Sequence, residues 1–295
     1  MSDTFFTAPP HWQWLVILYF FFGGLAGGSY LIAVLADLFG DAADRPLARL
    51  GYFVAFPCVV IGGALLILDL TRPDRFWHML LMSERGWPMF KYWSPMSIGS
   101  WGLLLFGAFA FLSFAGALAE TGTLPAGLLA LRRGLLGTVI GVLGGLFGFF
   151  LAGYTGVLLA VTNRPIWSDT PLLGLLFLVS AASISAAALI LLAVWRGVEA
   201  YSVQWLSRMD GGLMLLELGV LVAVVASLGP VARVWLSAWG AVLVGGVVVV
   251  GILVPLALHW RPVLLGALNK PAAAVLVLVG GFLLRVVIVL SAESV

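Results

Sequence analysis

Long apolar runs alternate with short polar connections along the whole chain. Eight of these runs approach the roughly 20 residues that a helix needs to cross the hydrocarbon core of a membrane. They predict spans near residues 14–39, 50–70, 95–118, 134–162, 171–195, 212–229, 235–258 and 273–291. We therefore expect an all-α bundle of about eight transmembrane helices, forming one integral membrane domain over residues 1–295.

The sixth predicted span is short, and Pro230 with the nearby Arg233 is its only clear break from the seventh. Proline interrupts a helix because it lacks a backbone N–H group. The hairpin between these two spans is the least sharply defined part of the prediction.

Several spans carry small residues four positions apart, a spacing that lets membrane helices approach closely. These glycines are Gly23/Gly27, Gly24/Gly28, Gly137/Gly141/Gly145 and Gly144/Gly148. The first and fourth spans are therefore expected inside the bundle.

Composition excludes a water-soluble protein. Hydrophobic residues make up 62% of the sequence and charged residues 9%, whereas roughly 25% of an ordinary soluble domain is charged. The formal net charge is only +2. The basic residues of the protein are scattered through the connections and form no basic face, so no nucleic-acid partner is expected. The single cysteine, Cys58, excludes an internal disulfide and a cysteine-ligated cluster within this chain alone.

The distribution of basic residues favours an orientation with both termini outside. In that orientation the cytoplasmic connections hold slightly more lysine and arginine than the outer ones, as the positive-inside rule requires. Residues 1–13 contain no basic stretch, so we expect no cleaved signal peptide and a first helix that stays in the protein.

Polar side chains inside apolar spans are candidates for function, because they cost free energy unless they face a partner or a cavity. Tyr19, Asp69, Tyr154 and Arg285 are expected toward the outer side of the membrane, and Asp69 is the carboxylate expected to pair with Arg285. The alternatives are that Arg285 extends to the membrane surface, that Asp69 caps its helix, and that the tyrosines are interface anchors.

A quinone site needs hydrogen-bond donors for two carbonyl oxygens, a proton carrier and an apolar cleft open to lipid. Tyr19, Tyr154, Asp69 and Arg285 provide such groups, with Tyr154 and Asp69 as the catalytic candidates. Asp37, Asp210 and Glu217 are expected toward the cytoplasmic side. They form a hypothetical proton path, although such residues more often mark helix ends.

The connection over residues 71–93 is the longest and combines charged with aromatic residues. Its candidates for contact with a partner subunit are Arg72, Asp74, Arg75 and His78. The segment is interpreted as a docking platform, with an amphipathic segment at the lipid headgroups as the alternative.

His11, His78 and His259 lie at span ends or in connections, so no haem held by paired histidines and no metal cluster is expected. Without a redox centre of its own, the protein would receive electrons from a partner.

Six short segments together resemble the membrane subunits of the NrfD type, the family of the polysulfide reductase membrane subunit. They are 14–28 (WLVILYFFFGGLAGG), 68–79 (LDLTRPDRFWHM) with 94–97 (SPMS), 154–159 (YTGVLL) with 163–167 (NRPIW), and 280–285 (GGFLLR). The resemblance extends in order over nearly the whole chain, although each glycine-rich piece alone is weak.

The resemblance implies an eight- or nine-helix subunit without haem, in the cytoplasmic membrane of a bacterium or archaeon. It implies exchange of electrons between menaquinone or ubiquinone and an iron–sulfur subunit, and through that subunit with a catalytic, molybdenum-containing one. Tyr154 matches the tyrosine that hydrogen-bonds the quinone, and Arg285 matches an arginine of the last helix. Tyr19 stands where the polysulfide reductase membrane protein has a histidine, so Asp69 is the proton carrier or the site binds quinone differently.

Two other functions remain open at this point. In a transporter or proton channel, Asp37, Asp69, Glu217 and Arg285 would form the pathway, but the two halves of the sequence show no convincing inverted repeat. In a passive anchor, the protein would only tether catalytic subunits.

Overall fold

The computed structural model describes residues 10–198, 200–261 and 264–294. Within these residues, eight helices are long and apolar enough to cross a membrane, which confirms the predicted all-α membrane fold. The helices are α1 Trp14–Phe39, α2 Arg45–Asp69, α3 Pro95–Glu120, α4 Gly134–Ala160, α5 Leu173–Arg196, α6 Ala200–Ser227, α7 Ala238–Trp260 and α8 Asn269–Ser291.

Successive helices run antiparallel, so the bundle has two ends. The long-loop end carries the starts of the odd-numbered helices, the ends of the even-numbered helices and the long connection between α2 and α3. The opposite end carries the connections α1–α2, α3–α4, α5–α6 and α7–α8. The outward orientation of the termini remains a prediction.

Helices α1 and α5 form the centre of the bundle. Helix α1 packs against α2, α4 and α5, while α5 packs against α1, α4, α6 and α8. The α1–α4 contact depends on glycine, because a Cβ atom on Gly148 would lie 3.0 Å from the carbonyl oxygen of Gly27. The prediction that α1 lies inside the bundle is confirmed, whereas α4 packs closely on α1 but lies at the edge, because only 33% of its apolar segment is buried, compared with 72% for α1.

Helix α6 begins twelve residues before the predicted start of the sixth span. Its first three turns contain polar residues that lower the local hydropathy, but Ser202, Ser207 and Asp210 are buried against neighbouring helices. Asp210, expected at the entry to the sixth span, therefore lies within the helix, as does Glu217.

Helix α7 is wound more widely than an α-helix over Val242–Leu253, with i→i+5 hydrogen bonds. Pro255 follows this segment and supplies no N–H group to the carbonyl four residues earlier. The predicted break before α7 is confirmed, since a short 3₁₀ segment, Gly229–Leu236, separates it from α6.

Candidate functional site

A cavity of about 280 Å³ lies at the long-loop end between the start of α1, the end of α2, the start of α3 and the end of α4. Three of the four predicted site residues, Tyr19, Asp69 and Tyr154, line it together. Most of the remaining wall is apolar, including Leu66, Ile67, Leu103, Leu104 and Leu158. We call this space the long-loop cavity.

Tyr154 is held in a fixed position on the cavity wall. Its hydroxyl donates a 2.6 Å hydrogen bond to the carbonyl oxygen of Pro95 in the first turn of α3. Its ring stacks on Phe150 with the ring centroids 5.2 Å apart. The ring fits against α3 only because Gly99 has no side chain, since a Cβ atom there would overlap the tyrosine. The phenolic oxygen keeps lone pairs with which it can accept a further hydrogen bond.

Tyr19 lies on the α1 side of the cavity and is only 2% exposed. Its ring passes close to Gly62 of α2, where a Cβ atom would lie 3.3 Å from Cδ2. Among the residues that the structure describes, the Tyr19 hydroxyl has no hydrogen-bond partner, so it is available to donate to a molecule in the cavity.

Asp69 is the last residue of α2 and lines the same cavity from its outer rim. Its carboxylate makes no ion pair with a described residue, and it is more exposed than either tyrosine. A carboxylate at this position can exchange protons with water while it faces the cavity.

Arg285 is not part of the cavity wall, and the expected pairing with Asp69 is wrong. Its guanidinium is fully buried and donates to the carbonyl oxygen of Phe20 at 3.1 Å, to Ser180 Oγ at 3.2 Å and to its own helix at Gly281 O at 2.7 Å. The carboxylate that it faces is Glu217. The correction follows from α6, which begins earlier than predicted and carries Glu217 to the depth of Arg285.

Arg285 nevertheless contacts the site indirectly. Phe20, whose carbonyl oxygen accepts the bond from Arg285 Nε, lines the long-loop cavity beside Tyr19. The guanidinium also lies 5.4 Å from the ring centroid of Phe177 and 5.9 Å from that of Phe21. It therefore fixes the backbone of α1 behind the cavity wall.

The three acidic residues predicted for a proton path separate into two groups. Asp37 lies at the opposite end of α1 in an ion pair with Arg132, with Oδ1 2.8 Å and Oδ2 2.7 Å from Nη2. Arg132 also bonds Glu120 at 2.6 Å. Asp210 and Glu217 lie elsewhere, on the buried side of α6. Asp37 thus has the contacts of a structural ion pair, apart from the other two.

The predicted docking segment, residues 71–93, contains a short helical segment, Pro73–Met79, and a tight turn closed by a bridge between Leu81 and Pro88. Its candidate contact residues Arg72, Asp74, Arg75 and His78 are solvent-facing or partly so. Three aromatic side chains are also strongly exposed, namely Trp87 at 71%, Tyr92 at 74% and Trp93 at 67%. An exposed surface that mixes aromatic and charged side chains is typical of a contact with another protein or with the membrane interface.

The same segment also forms part of the cavity wall. Phe76, Met79 and Leu80 line the long-loop cavity from the outside. Hydropathy did not predict this contribution, because these residues belong to a polar connection. One face of residues 71–93 therefore lines the cavity, and the other face forms the candidate docking surface.

In the described ranges, no group of three or more histidine, cysteine, aspartate or glutamate side chains is arranged to hold a metal ion. His11 lies at the long-loop end, 3.1 Å from the Arg164 guanidinium, while His259 lies near the opposite end of α7. The titratable groups of the long-loop cavity are thus the two tyrosines and Asp69.

Sequence comparison gives matches over nearly the whole chain. Residues 3–295 match the family described as "Polysulphide reductase, NrfD". The C component of polysulfide reductase from Wolinella succinogenes is 27% identical over 70% of this protein and 66% of its own length. Protein NrfD of Escherichia coli is 30% identical over 72% of this protein and 70% of its own length.

A shorter match connects the protein to the C component of selenate reductase from Mesobacillus selenatarsenatis. That relative is 30% identical over 34% of this protein, and the match spans 21% of its own length. The sequence thus matches about a fifth of this relative and about two thirds of the polysulfide reductase component.

Proposed function

The chain belongs to the polysulphide reductase NrfD family, and we propose that it is the quinone-reacting membrane subunit of a multi-subunit respiratory oxidoreductase. The resemblance drawn from the sequence is confirmed by the family match. Relatives named as components of polysulfide and selenate reductases, and one named as a putative membrane subunit of dimethyl sulfoxide reductase, support a membrane subunit of an oxidoreductase complex. We place this complex in the cytoplasmic membrane of a bacterium or archaeon.

The observation that carries the proposal is the meeting of Tyr19, Asp69 and Tyr154 in one otherwise apolar cavity. Its volume of about 280 Å³ is close to the lower limit of roughly 300–1,000 Å³ for small-molecule sites. A quinone needs this combination of polar contacts for its head group and apolar contacts for its tail. Leu104 lines the cavity and is 47% exposed on the outside of the bundle, so the tail can leave toward lipid there.

The reaction is the addition of two electrons and two protons to menaquinone or ubiquinone, or its reversal from the quinol. Tyr19 donates a hydrogen bond to one quinone carbonyl oxygen. The Tyr154 hydroxyl donates its own hydrogen to Pro95, so it accepts a hydrogen bond from the other oxygen once that oxygen carries a proton in the quinol. Asp69 gives up and recovers protons at the rim of the cavity. Arg285 is a positioning residue, because it acts on the site only through the backbone of Phe20.

The electrons come from a partner. Residues 71–93 form the docking surface for an iron–sulfur subunit, which connects this protein to a catalytic, molybdenum-containing subunit. Support for this part is the exposed aromatic surface and its direct continuity with the cavity wall through Phe76, Met79 and Leu80. A quinone at this position would lie directly beneath the docked partner.

The substitution Tyr154→Phe in the intact complex tests the proposal. It removes only the hydroxyl, so quinone-linked turnover should fall by at least about tenfold, while electron transfer between the soluble subunits and an artificial acceptor stays normal. Tyr201→Phe is the matched control, because Tyr201 is 60% exposed at the opposite end of the bundle. Both variants should contain the complete set of subunits.

Unchanged quinone kinetics in Tyr154→Phe would remove this tyrosine from the site. A passive anchor predicts the same rate of quinone-linked turnover for wild type, Tyr154→Phe and Tyr19→Phe, whereas the quinone site predicts losses in both variants.

A further inference from the structure

A second cavity, of about 520 Å³, lies at the opposite end of the bundle between the first half of α6, the end of α7 and the start of α8. We call it the opposite cavity. Its volume is within the roughly 300–1,000 Å³ of small-molecule sites, and it shares no lining residue with the long-loop cavity. The lining residues used below are Ser207, Arg208, Gly212, Leu215, Asn269 and Lys270.

The opposite cavity lies at the depth of the lipid headgroups. Helix α6 has 28 residues, so it is about 42 Å long, whereas the hydrocarbon core of a membrane is about 30 Å thick. Its polar first turns, which contain Arg208, therefore extend beyond that core. Trp260 lines the same cavity and is 69% exposed, and tryptophan is typical of the interface between membrane and water. A molecule in this cavity would thus lie among the headgroups.

The mouth of the opposite cavity is positively charged. Arg208 of α6 and Lys270 of α8 both line it, and both are exposed. Lys270 is the second residue of α8, and no side chain caps the start of this helix. Because the start of a helix carries a partial positive charge, it adds to the attraction of the two side chains for an anion.

One acidic residue, Asp210, occurs in the wall segments 204–215 and 258–273, which contain three arginine or lysine residues. Asp210 is fully buried and does not line the cavity. Its Oδ1 atom accepts a 2.9 Å bond from Ser183, and its Oδ2 atom lies 3.8 Å from Nε2 of His259. The charge that the wall presents to the headgroups is therefore positive.

Two buried side chains of the wall have a polar atom without a partner. Within the described part of the protein, Ser207 Oγ and Asn269 Oδ1 make no hydrogen bond, although both residues are more than nine-tenths buried. The amide nitrogen of Asn269 is occupied, because it donates a 2.5 Å bond to the carbonyl oxygen of Leu258. Asn269 Oδ1 can therefore only accept, whereas the Ser207 hydroxyl can also donate. Such buried atoms are costly to leave unpaired, so the wall suits a ligand that has both donors and acceptors.

An apolar strip continues from the charged mouth toward the hydrocarbon core. Gly212 and Leu215 follow Arg208 at intervals of about one turn and line the cavity, and both are exposed on the outside of the bundle, Leu215 at 49%. A Cβ atom on Gly212 would meet no other atom within 4 Å. The surface of α6 is therefore open here, and an acyl chain can lie along it.

We propose that the opposite cavity binds one molecule of phosphatidylglycerol. Arg208 and Lys270 bind its phosphate group, as basic pockets between membrane helices do for anionic lipids. The Ser207 hydroxyl donates to a phosphate oxygen, and a hydroxyl group of the glycerol headgroup donates to Asn269 Oδ1. One acyl chain lies along the exposed strip of α6. The bound lipid thus connects α6, α7 and α8 at this end of the bundle, in the cytoplasmic leaflet according to the predicted orientation.

The headgroup chemistry distinguishes phosphatidylglycerol from other sources of phosphate. Phosphatidylcholine has no hydrogen-bond donor in its headgroup and cannot satisfy Asn269 Oδ1. Phosphatidylethanolamine would bring an ammonium group close to Arg208 and Lys270. Inorganic phosphate has no acyl chain for the strip beside Gly212. The proposal is also independent of the quinone site, because the two cavities have no lining residue in common.

The test measures the stability of the intact complex as lipid is returned after delipidation in detergent. Phosphatidylglycerol should raise the Tm of wild type, whereas phosphatidylcholine, phosphatidylethanolamine and inorganic phosphate should raise it much less. In the double variant Arg208→Gln/Lys270→Gln, the phosphatidylglycerol concentration for half of the effect should be at least about tenfold higher. Arg196→Gln is the matched control, because Arg196 is exposed at the same end and lies outside the cavity.

A second variant obstructs the acyl chain and leaves the charges intact. Gly212→Phe places a ring on the open strip of α6, so it should also weaken the response to phosphatidylglycerol, by at least about fivefold. Gly219→Phe is its control, since Gly219 lies two turns further along the helix, is equally unobstructed and is outside the cavity. Mass spectrometry of the washed complexes should show one phosphatidylglycerol fewer in Gly212→Phe than in Gly219→Phe.

The selectivity of wild type is measured without any substitution, so the proposal can be tested even if a variant fails to assemble. An equal rise in Tm with phosphatidylcholine, phosphatidylethanolamine or inorganic phosphate would overturn it. An unchanged response to phosphatidylglycerol in both the double variant and Gly212→Phe would overturn it as well.

Discussion

Tyr154 of α4 lies so close to Gly99 of α3 that a single methyl group on Gly99 would overlap its phenol ring. The contact and the 2.6 Å bond to Pro95 fix the hydroxyl at the start of α3. The position of the proposed quinone contact thus depends on a residue that has no side chain of its own.

Gly99→Ala should therefore displace Tyr154 and reduce quinone-linked turnover. We expect a loss of at least about fivefold, because small displacements of positioned groups are costly in catalysis. Gly107→Ala is the control, since it adds the same methyl group to α3 where no atom lies within 4 Å. Steady-state kinetics with a short-chain quinone would measure both, and equal rates for the two variants would contradict the assigned position of Tyr154.

Arg285→Met should destabilise the subunit. The substitution removes the hydrogen bonds to Phe20, Ser180 and Gly281 and leaves Glu217 without its positive neighbour. Each hydrogen bond from a charged group contributes about 1.5–3 kcal/mol, so the loss of these three bonds is the main cost. Thermal unfolding of the purified complex in detergent should show a lower Tm.

The additional change Glu217→Gln in the Arg285→Met background tests the cause of that loss. The double variant should recover part of the stability, because the uncompensated carboxylate is gone. A double variant less stable than Arg285→Met would show that the two side chains do not interact.

Arg72→Glu should weaken attachment of the partner subunit to the membrane. Arg72 lies in the exposed segment that we propose for docking, and reversal of its charge would oppose an acidic partner surface. Arg196→Glu makes the same change at the opposite end of the bundle and serves as control. Quantification of the partner in washed membranes would distinguish docking from a segment that only lies at the headgroups, for which both variants retain the partner fully.

Asp37→Asn should affect stability without affecting turnover. Asp37 bonds Arg132 through both carboxylate oxygens, and hydrogen bonds to charged groups contribute about 1.5–3 kcal/mol. The Tm should fall, while quinone-linked turnover per folded complex stays unchanged. A selective loss of turnover in this variant would return Asp37 to the proton path.

Hydropathy was sufficient to predict the helices because a membrane allows few alternatives to a long apolar helix. It failed at the start of α6, where Ser202 and Asp210 are polar yet buried between helices. A scale that measures transfer into lipid cannot distinguish a residue that faces lipid from one that faces a neighbouring helix.

Part of the candidate site was predictable from the same hydropathy pattern, because polar side chains stand out within apolar spans. Tyr19, Asp69 and Tyr154 were identified as polar residues near one membrane surface, and the structure brings them together. The partner of Arg285 was not predictable, because it depends on the packing of α5, α6 and α8. Gly99 and Phe76 carry no sequence signal of their own, since their contribution arises from close packing and from the fold of a connecting segment.

The central claim is that quinone binds in the long-loop cavity, and labelling with a photoreactive quinone tests it most directly. Illumination of the complex followed by peptide mass spectrometry should place adducts within residues 63–80 and 96–104, and excess unlabelled quinone should suppress them. Adducts beside Gly212 and His259, which line a separate cavity at the opposite end of the bundle, or no adduct that competes with quinone, would contradict the claim.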